Sequence, residues 1–190
     1  MNGNEIVDLR IATIPGGLKR LRFLDKIFSP GEQKLINSGQ VGVWTLWAMK
    51  EAVYKAHHRR FNLPLSFNPK GIKVQISEVS EHSIIDSAEY RSYLYIGRGI
   101  LTPFFIHFTA TCLPKEQLFT GIYNTSSVQI KDQLKQVLSE KLRLDKDDLK
   151  IVKDKNYIPH FLYRNANLNL PFSISHHGNY TAFSFQLINY

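Results

Sequence analysis

An uninterrupted stretch in the first third of the chain constrains the fold most. The segment WAMKEAVYKAHHRR, residues 47–60, contains no glycine or proline. At about 100° per residue, the apolar side chains in and just before this segment fall on one narrow arc, which predicts a buried helix face. This arc consists of Leu46, Met49, Val53 and Ala56. The segment therefore predicts an amphipathic helix that packs against a core.

The opposite side of the same helix combines aromatic, acidic and basic side chains. It carries Trp44, Glu51, Lys55 and His58, with Trp47 beside them. A glutamate and a lysine spaced i, i+4 are typical of a solvated pair that stabilises a helix slightly. The same two groups could also serve a reaction on an anionic substrate. The helical pattern alone leaves both interpretations open.

The remaining segments predict an α+β fold with antiparallel sheets and packed helices. Residues 29–38 begin with Ser29, Pro30 and Glu32, the pattern of a capping box at a helix start. Residues 126–142 carry an apolar stripe at helical spacing and predict a second amphipathic helix. Alternating or clustered β-branched and aromatic residues predict strands. The predicted strand segments are residues 4–12, 71–79, 90–97, 103–112, 149–153 and 172–188, the last folded around a turn at residues 177–179.

Composition restricts the classes of function. The chain has 24 basic and 16 acidic side chains, which give a formal net charge of +8 and favour an anionic partner. Its one cysteine, Cys112, excludes an internal disulfide and a zinc site built on several thiolates. No apolar run approaches the length of a membrane span, and the N-terminal residues lack the pattern of a signal peptide. We therefore expect a cytoplasmic protein without a membrane partner.

A change of structural unit is expected near the segment CLPKEQ, residues 112–117. It separates an N-terminal half, residues 1–113, from a C-terminal half, residues 114–190. We expect the functional site to lie between these halves.

Four segments resemble the 4'-phosphopantetheinyl transferases. WAMKEAVYK, residues 47–55, is similar to the W-x-x-K-E-A-x-x-K signature of that family. GNEIVDL near the N-terminus resembles its G-x-D-I-V-E-I strand, and LRFLDKIFSPGEQKLI resembles its R-F-x-x-x-x-F-T-x-x-E helix entry. FSISHHGNYTAFSF near the C-terminus is similar to its S-I-S-H-x-x-x-Y-A-x-A-F ending. The motif order is that of the short, holo-acyl-carrier-protein-synthase type.

This resemblance implies a fold and a reaction. The fold would be that of the transferase family, with two pseudo-related halves as in its longer, surfactin-synthetase-activating type. The reaction would transfer 4'-phosphopantetheine from coenzyme A to a serine of an acyl or peptidyl carrier protein, leaving adenosine 3',5'-bisphosphate. The implied cofactor is Mg²⁺, which binds oxygen ligands and pyrophosphates. The implied partner is an acidic carrier protein.

The resemblance also implies roles for individual residues. Glu51 and Lys55 would be catalytic, and Glu5, Glu51 and Asp8 would be metal ligands. Glu5 stands where the family has an aspartate, which keeps the ligand type but lengthens the side chain. Coenzyme binding would fall to basic and C-terminal motif residues, namely Lys19, Arg22, Lys50, Lys55, Ser175 and His176. Glu51 and a metal-bound water both remain candidates for the acceptor of the serine proton.

A second departure from the family pattern and one alternative function complete the sequence interpretation. Ile158 occupies the place of a family lysine before Pro159, and Lys153 and Lys155 are its nearest basic substitutes. His177 is expected to belong to the turn alone. The alternative function is a non-catalytic basic module that binds nucleic acid or protein on a decayed transferase scaffold. No nucleic-acid motif supports it, and the aromatic residues are placed as strand core.

Overall fold

The computed structural model describes residues 1–13, 17–39, 42–112, 117–125 and 127–187, the side chains of 17–20 and 127–128 excepted. Mixed helices and antiparallel strands make up this part of the chain, as predicted. The helices are α1 (Gly17–Ile27), α2 (Pro30–Asn37), α3 (Val43–Phe61) and α4 (Ser127–Leu142), with a short 3-10 turn at Pro69–Gly71. The strands are β1 (Asn2–Asp8), β2 (Ile72–Val79), β3 (Ser83–Tyr90), β4 (Tyr93–Leu101), β5 (Phe105–Thr111), β6 (Gln117–Asn124), β7 (Leu149–Lys153), β8 (Pro159–Tyr163), β9 (Ala166–Asn167), β10 (Phe172–His177) and β11 (Tyr180–Leu187).

The strands form three antiparallel sheets. Sheet A has the order β1-β5-β4-β3-β2, sheet B the order β10-β11-β6, and sheet C the order β7-β8-β9. Strand β1 is an edge strand of sheet A, yet all its residues are buried. It is buried because helix α3 covers one of its faces and sheet B the other, as the following contacts show.

Helix α3 packs on sheet A through the face predicted from its sequence. Leu46, Met49, Val53 and Ala56 are fully buried. The helix also lies unusually close to β1, because Gly3 has no side chain. A Cβ atom at Gly3 would overlap the Ala52 carbonyl oxygen and the Ala56 nitrogen of the helix. This close approach brings the polar side of α3 next to β1.

Sheet B covers the other face of β1 through a buried polar network. The Asn4 backbone N–H donates to Ser173 Oγ over 3.1 Å, and its side-chain Nδ2 donates to the Ser173 carbonyl over 2.8 Å. Asn4 Nδ2 also donates to Ser184 Oγ, and the Ser175 hydroxyl donates to Asn4 Oδ1. Side chains of sheet B thus satisfy polar groups at the free edge of β1 that no neighbouring strand reaches.

Two clusters of buried apolar residues lie in different parts of the sequence. One joins α3 and sheet A, within residues 7–110, and the other joins α4 with sheets B and C, within residues 130–185. Residues 113–116, at the centre of the expected unit boundary, lie outside the described residues. The division at residue 113 stays a prediction.

Several local predictions can be compared with the structure. The capping box is confirmed, since Ser29 Oγ accepts from the Glu32 N–H and the Glu32 carboxylate accepts from the Ser29 N–H. The turn between β10 and β11 is confirmed at Gly178, which has φ +57°, and at Asn179, whereas His177 is the last residue of β10 and not part of the turn. The single strand expected over residues 90–97 is wrong. Arg91 and Ser92 have positive φ and form a tight hairpin turn between β3 and β4, although neither is a usual residue for it.

No described helix is both long enough and apolar enough to span a membrane. Ser126, the first residue of the segment predicted as the second amphipathic helix, lies outside the described residues.

Candidate functional site

Glu51 and Lys55 lie one turn apart on α3 and line a pocket of about 670 Å³. The other walls come from Leu65, from α4, β7 and β10, and from the start of β8 with the residues just before it. Basic and histidine side chains are frequent among the residues that line the pocket. Of its described lining residues, Glu51 alone carries a carboxylate. The titratable lining groups that can be cationic are Lys55, His58, Arg59, Lys131 and Lys153. The pocket therefore favours an anionic ligand.

Strand β1 positions a second carboxylate, that of Glu5, beside Lys55. Alternate side chains of a strand point to opposite faces, so Glu5 lies on the same face as Gly3, toward α3. Lys55 Nζ lies 2.5 Å from Glu5 Oε2 and donates to the Asn4 carbonyl oxygen over 3.1 Å. Lys55 thus links α3 to β1 and places its ammonium between the strand and the pocket.

The Glu51 carboxyl is strongly affected by its surroundings. Burial raises its pKa to about 7, the nearby Lys55 ammonium lowers it, and the charge of Glu5 raises it further. Desolvation is the largest of these effects because it disfavours the ionised form. Any additional positive charge that enters the pocket would therefore stabilise the ionised form of Glu51.

Two nitrogen-bearing side chains of the pocket were not identified from the sequence as ligands. His58 Nε2 and Arg59 Nε and Nη1 are buried and have no hydrogen-bond partner among the described residues. Burial lowers the pKa of Arg59 to about 9, and Asp154 opposes this effect. The Arg59 guanidinium lies 5.4 Å from the centroid of the Phe172 ring. His58 and Arg59 follow Lys55 at positions i+3 and i+4. Because such positions share one helix face, this spacing could have identified both residues from the sequence.

The structure does not bring Asp8 to this group. Asp8 is three residues from Glu5 on the same strand, so its side chain lies on the opposite face of β1. Its carboxylate accepts from the Arg10 guanidinium, at 2.9 Å, and from the Asn179 N–H, at 3.1 Å. The Arg10 hydrogen bonds hold the pKa of Asp8 well below its usual range, although burial opposes them. Asp8 joins β1 to the turn of sheet B.

Lys50 is also separate from the pocket. Its side chain is fully buried, and its ammonium lies 2.8 Å from Glu32 Oε1, 2.8 Å from the Pro69 carbonyl and 2.7 Å from the Ile72 carbonyl. The two carbonyls accept hydrogen bonds from the ammonium, and Glu32 balances its charge. Burial lowers the pKa of Lys50, whereas Glu32 raises it. The motif lysine therefore joins α3 to α2 and β2, and the coenzyme role expected for it is not supported by its position.

The C-terminal motif residues divide between the faces of β10. Ser175 is 4% exposed and is bonded to Asn4, and His177 Nδ1 accepts from the Asp8 N–H over 3.0 Å. His176 lies on the other face and is exposed, outside the described lining of the pocket. Ser173 and Ile174 of the same strand do line it.

The basic residues expected before the second motif are only partly described. Arg22 is exposed on α1 and lies outside the pocket lining, and the side chain of Lys19 falls outside the described residues.

A metal ion would have two carboxylates here. No set of three or more His, Cys, Asp and Glu side chains able to hold a metal occurs in the part of the chain that is described. Glu5 and Glu51 both lie beside Lys55. Mg²⁺ is commonly held by one or two carboxylates together with substrate phosphates, rather than by an all-protein cage. The donor set of Glu5 and Glu51 fits that type of site.

The chain resembles one known protein family over a long segment. The sequence profile of the family described as 4'-phosphopantetheinyl transferase superfamily matches residues 3–108, more than half of the chain. The chain belongs to the 4'-phosphopantetheinyl transferase superfamily. The matched segment contains β1 and α3, and therefore Glu5, Glu51 and Lys55. No curated protein and no solved structure was found to match the chain.

Membership of the superfamily has a general consequence for function. It indicates a transferase of phosphopantetheine that uses coenzyme A as the donor and a carrier protein as the acceptor. The C-terminal wall of the pocket, with Lys131, Lys153 and Ser173, lies outside the matched segment.

Proposed function

We propose that the protein transfers 4'-phosphopantetheine from coenzyme A to a serine of an acyl or peptidyl carrier protein, as a holo-acyl-carrier-protein synthase. The products are the holo-carrier protein and adenosine 3',5'-bisphosphate. The observation that carries this proposal is the ion pair of Glu5 with Lys55, a residue that together with Glu51 lines a pocket with a largely basic wall. Phosphoryl transfer requires charge neutralisation and positioning more than covalent chemistry, and this group of residues supplies both.

Glu5 and Glu51 are the proposed metal ligands. Mg²⁺, when bound, neutralises charge on the pyrophosphate and holds its oxygens in place. Lys55 pairs with Glu5 and lines the pocket beside Glu51, so its ammonium can contact the same phosphates. Glu51 is also positioned to receive the proton of the carrier serine, because it is the carboxylate among the described lining residues.

The remaining cationic groups of the pocket are proposed to hold the donor. Arg59, Lys131 and Lys153 surround the volume next to Glu51, and charge-assisted hydrogen bonds to phosphate are the stronger class of such bonds. The apolar part of the wall, which includes Leu65, Ile151, Ile158 and Ile174, offers contact surface for the uncharged parts of the coenzyme.

The partner is proposed to be an acidic carrier protein in the cytoplasm. The net charge of +8 opposes that of an acidic acceptor, and such complementarity accelerates encounter at low salt. We further propose that the two halves, residues 1–113 and 114–190, act as pseudo-related units. This arrangement would place the pocket between them, since its described lining residues come from α3 and Leu65 in the first half and from α4, β7, β10 and the start of β8 with the residues just before it in the second.

The test is transfer to apo-carrier proteins followed by intact-protein mass spectrometry. A panel of acidic carrier proteins from fatty acid, polyketide and peptide synthesis is incubated with the enzyme, coenzyme A and Mg²⁺. We expect at least one carrier to gain the mass of one phosphopantetheine, and to gain none when its acceptor serine is replaced by alanine. Absence of this gain across the panel, at every divalent cation tried, would contradict the proposal.

A further inference from the structure

A second cavity lies on the side of sheet A that faces away from α3. Sheet A has five strands and sheet B three, so sheet B covers β1 and leaves much of β3 and β4 uncovered. Strand β6, at the edge of sheet B, forms the opposite wall through Leu118 and Thr120. The resulting inter-sheet groove has a volume of about 510 Å³. This is within the usual range of about 300–1,000 Å³ for sites that bind small molecules.

The inter-sheet groove is separate from the coenzyme pocket, because the two share no described lining residue. Its apolar wall is formed by isoleucines of β3 and β4 together with Leu118, and serine and threonine hydroxyls line the remainder. The isoleucines are Ile84, Ile85, Ile96 and Ile100, and the hydroxyl residues are Ser83, Thr109, Thr111 and Thr120. Ile100 is 44% exposed, which is high for an isoleucine on the inner face of a sheet pair. An apolar ligand body would remove this surface from water.

Two nitrogen-bearing side chains interrupt the apolar wall. Arg98 is exposed and forms no salt bridge with another described residue, and the described residues that line the groove include no carboxylate. His107 is 2% exposed, and its Nε2 has no hydrogen-bond partner in the described part of the chain. A buried ring nitrogen without a partner costs free energy, and a ligand that reaches it recovers this cost.

Arg98 and His107 can serve one ligand group together. Arg98 is paired with Thr109 across β4 and β5, and His107 is two residues before Thr109 on the same strand. They are therefore diagonal neighbours on one face, about 7–8 Å apart at the backbone, within reach of a long side chain. Burial is the main cause that lowers the pKa of His107 to about 4, and Lys55 adds to it, so the imidazole is neutral at pH 7. A neutral imidazole can form one hydrogen bond beside the charge of Arg98.

We propose that the inter-sheet groove binds an amphipathic monocarboxylate. Its carboxylate lies between the Arg98 guanidinium and His107 Nε2, and its alkyl chain lies along Ile85, Ile100 and Leu118 between the two sheets. An anion with an apolar body is favoured because the groove combines the charge of Arg98 with an apolar wall. No carboxylate among the described lining residues opposes that charge. This site is independent of the proposed transferase reaction.

The probe is decanoate, measured by isothermal titration calorimetry against the intact protein. We expect saturable binding at one site, and about tenfold weaker binding for octanoate because two buried methylenes are lost. Arg98→Gln should weaken decanoate about tenfold or more, since it removes a charge-assisted hydrogen bond. It should leave decan-1-ol unaffected. Arg60→Gln, which removes the same charge from an exposed position outside the groove, is the matched control and should change nothing.

The position of the ligand is checked by nuclear magnetic resonance of the His107 ring. Decanoate should shift its Nε2 signal in the wild type. Any of three results would overturn the proposal: no saturable binding of decanoate, equal weakening by Arg98→Gln and Arg60→Gln, or a His107 signal that does not respond at saturation. Concentration-dependent pairing of two copies through β6, detected by sedimentation and by amide protection along that strand, would also overturn it.

Discussion

Replacing Lys50 tests whether the motif lysine binds coenzyme or holds the fold. Lys50→Met removes the cation that pairs with Glu32, which is itself 5% exposed, and leaves the Pro69 and Ile72 carbonyls without their donor. Breaking a buried ion pair by removing one partner costs about 3–5 kcal/mol. We expect the free energy of unfolding to fall by about this amount, which is a large fraction of the roughly 5–15 kcal/mol typical of a domain.

The assay is urea unfolding followed by circular dichroism, together with the Michaelis constant for coenzyme A. Glu32→Gln is the milder variant if Lys50→Met does not fold, and it should also destabilise the protein because the ammonium remains buried without its anion. The double variant should lose less than the sum of the two single losses, since the groups act as a pair. The Michaelis constant should stay near that of the wild type. Unchanged stability of Lys50→Met with a raised Michaelis constant for coenzyme A would refute this reasoning.

Three further variants test other parts of the account. Asp86 is buried with no partner among the described residues, and burial raises its pKa from 3.8 to about 7, so its ionisation destabilises the fold as pH rises. Asp86→Asn should therefore gain stability over the wild type between pH 4 and 7, to about 4 kcal/mol at most, and a pH-independent difference in unfolding free energy would contradict this. Gly3→Ala should lower the melting temperature and the transfer rate together, because its Cβ would push α3 from β1, and an unchanged melting temperature would show that the two elements have room. His176→Ala should weaken use of coenzyme A by about tenfold more than use of its dephospho analogue if this exposed side chain binds the 3'-phosphate, whereas equal Michaelis constants for both donors before and after the change would exclude that contact.

The sequence predicted best those features that depend on local periodicity. The buried face of α3 followed from the spacing of Leu46, Met49, Val53 and Ala56, and all four are fully buried. The capping box at Ser29 depends on residues three positions apart and was equally accessible. Such features are determined by residues that are neighbours in the chain, so no tertiary information is needed.

The interpretation of single polar residues was less secure, because tertiary contacts decide it. Lys50 and Lys55 belong to one motif, yet the first is enclosed by Glu32 and two carbonyls and the second reaches Glu5. Asp8 and Glu5 were expected to act together, although their odd spacing on a strand places them on opposite faces. Asn179, the partner of Asp8 in the turn of sheet B, lies 171 residues away in the chain.

The network that joins β1 to β10 had no signal in the sequence. Asn4 appeared only as a residue between two motif positions, and Ser173 as one of several serines in a strand. Their hydrogen bonds depend on the packing of sheet B on the open edge of β1, which neither segment encodes alone. The unpartnered donors of Arg59 likewise become visible only when the opposite wall of the pocket is in place.

The most direct test of the central proposal is the transfer rate of Glu51→Gln. This change removes the carboxylate charge from the pocket and leaves the apolar face of α3 intact. Glu89→Gln, on an exposed strand position outside the pocket, is the matched control. With an apo-carrier protein, coenzyme A and saturating Mg²⁺, mass spectrometry should show transfer by the wild type and by Glu89→Gln. Glu51→Gln should transfer at least a hundredfold more slowly while unfolding at the same urea concentration, since charge stabilisation of this kind is commonly worth about 10²–10³ in rate. A Glu51→Gln enzyme that transfers at the rate of the wild type would contradict the assignment of this pocket as the active site.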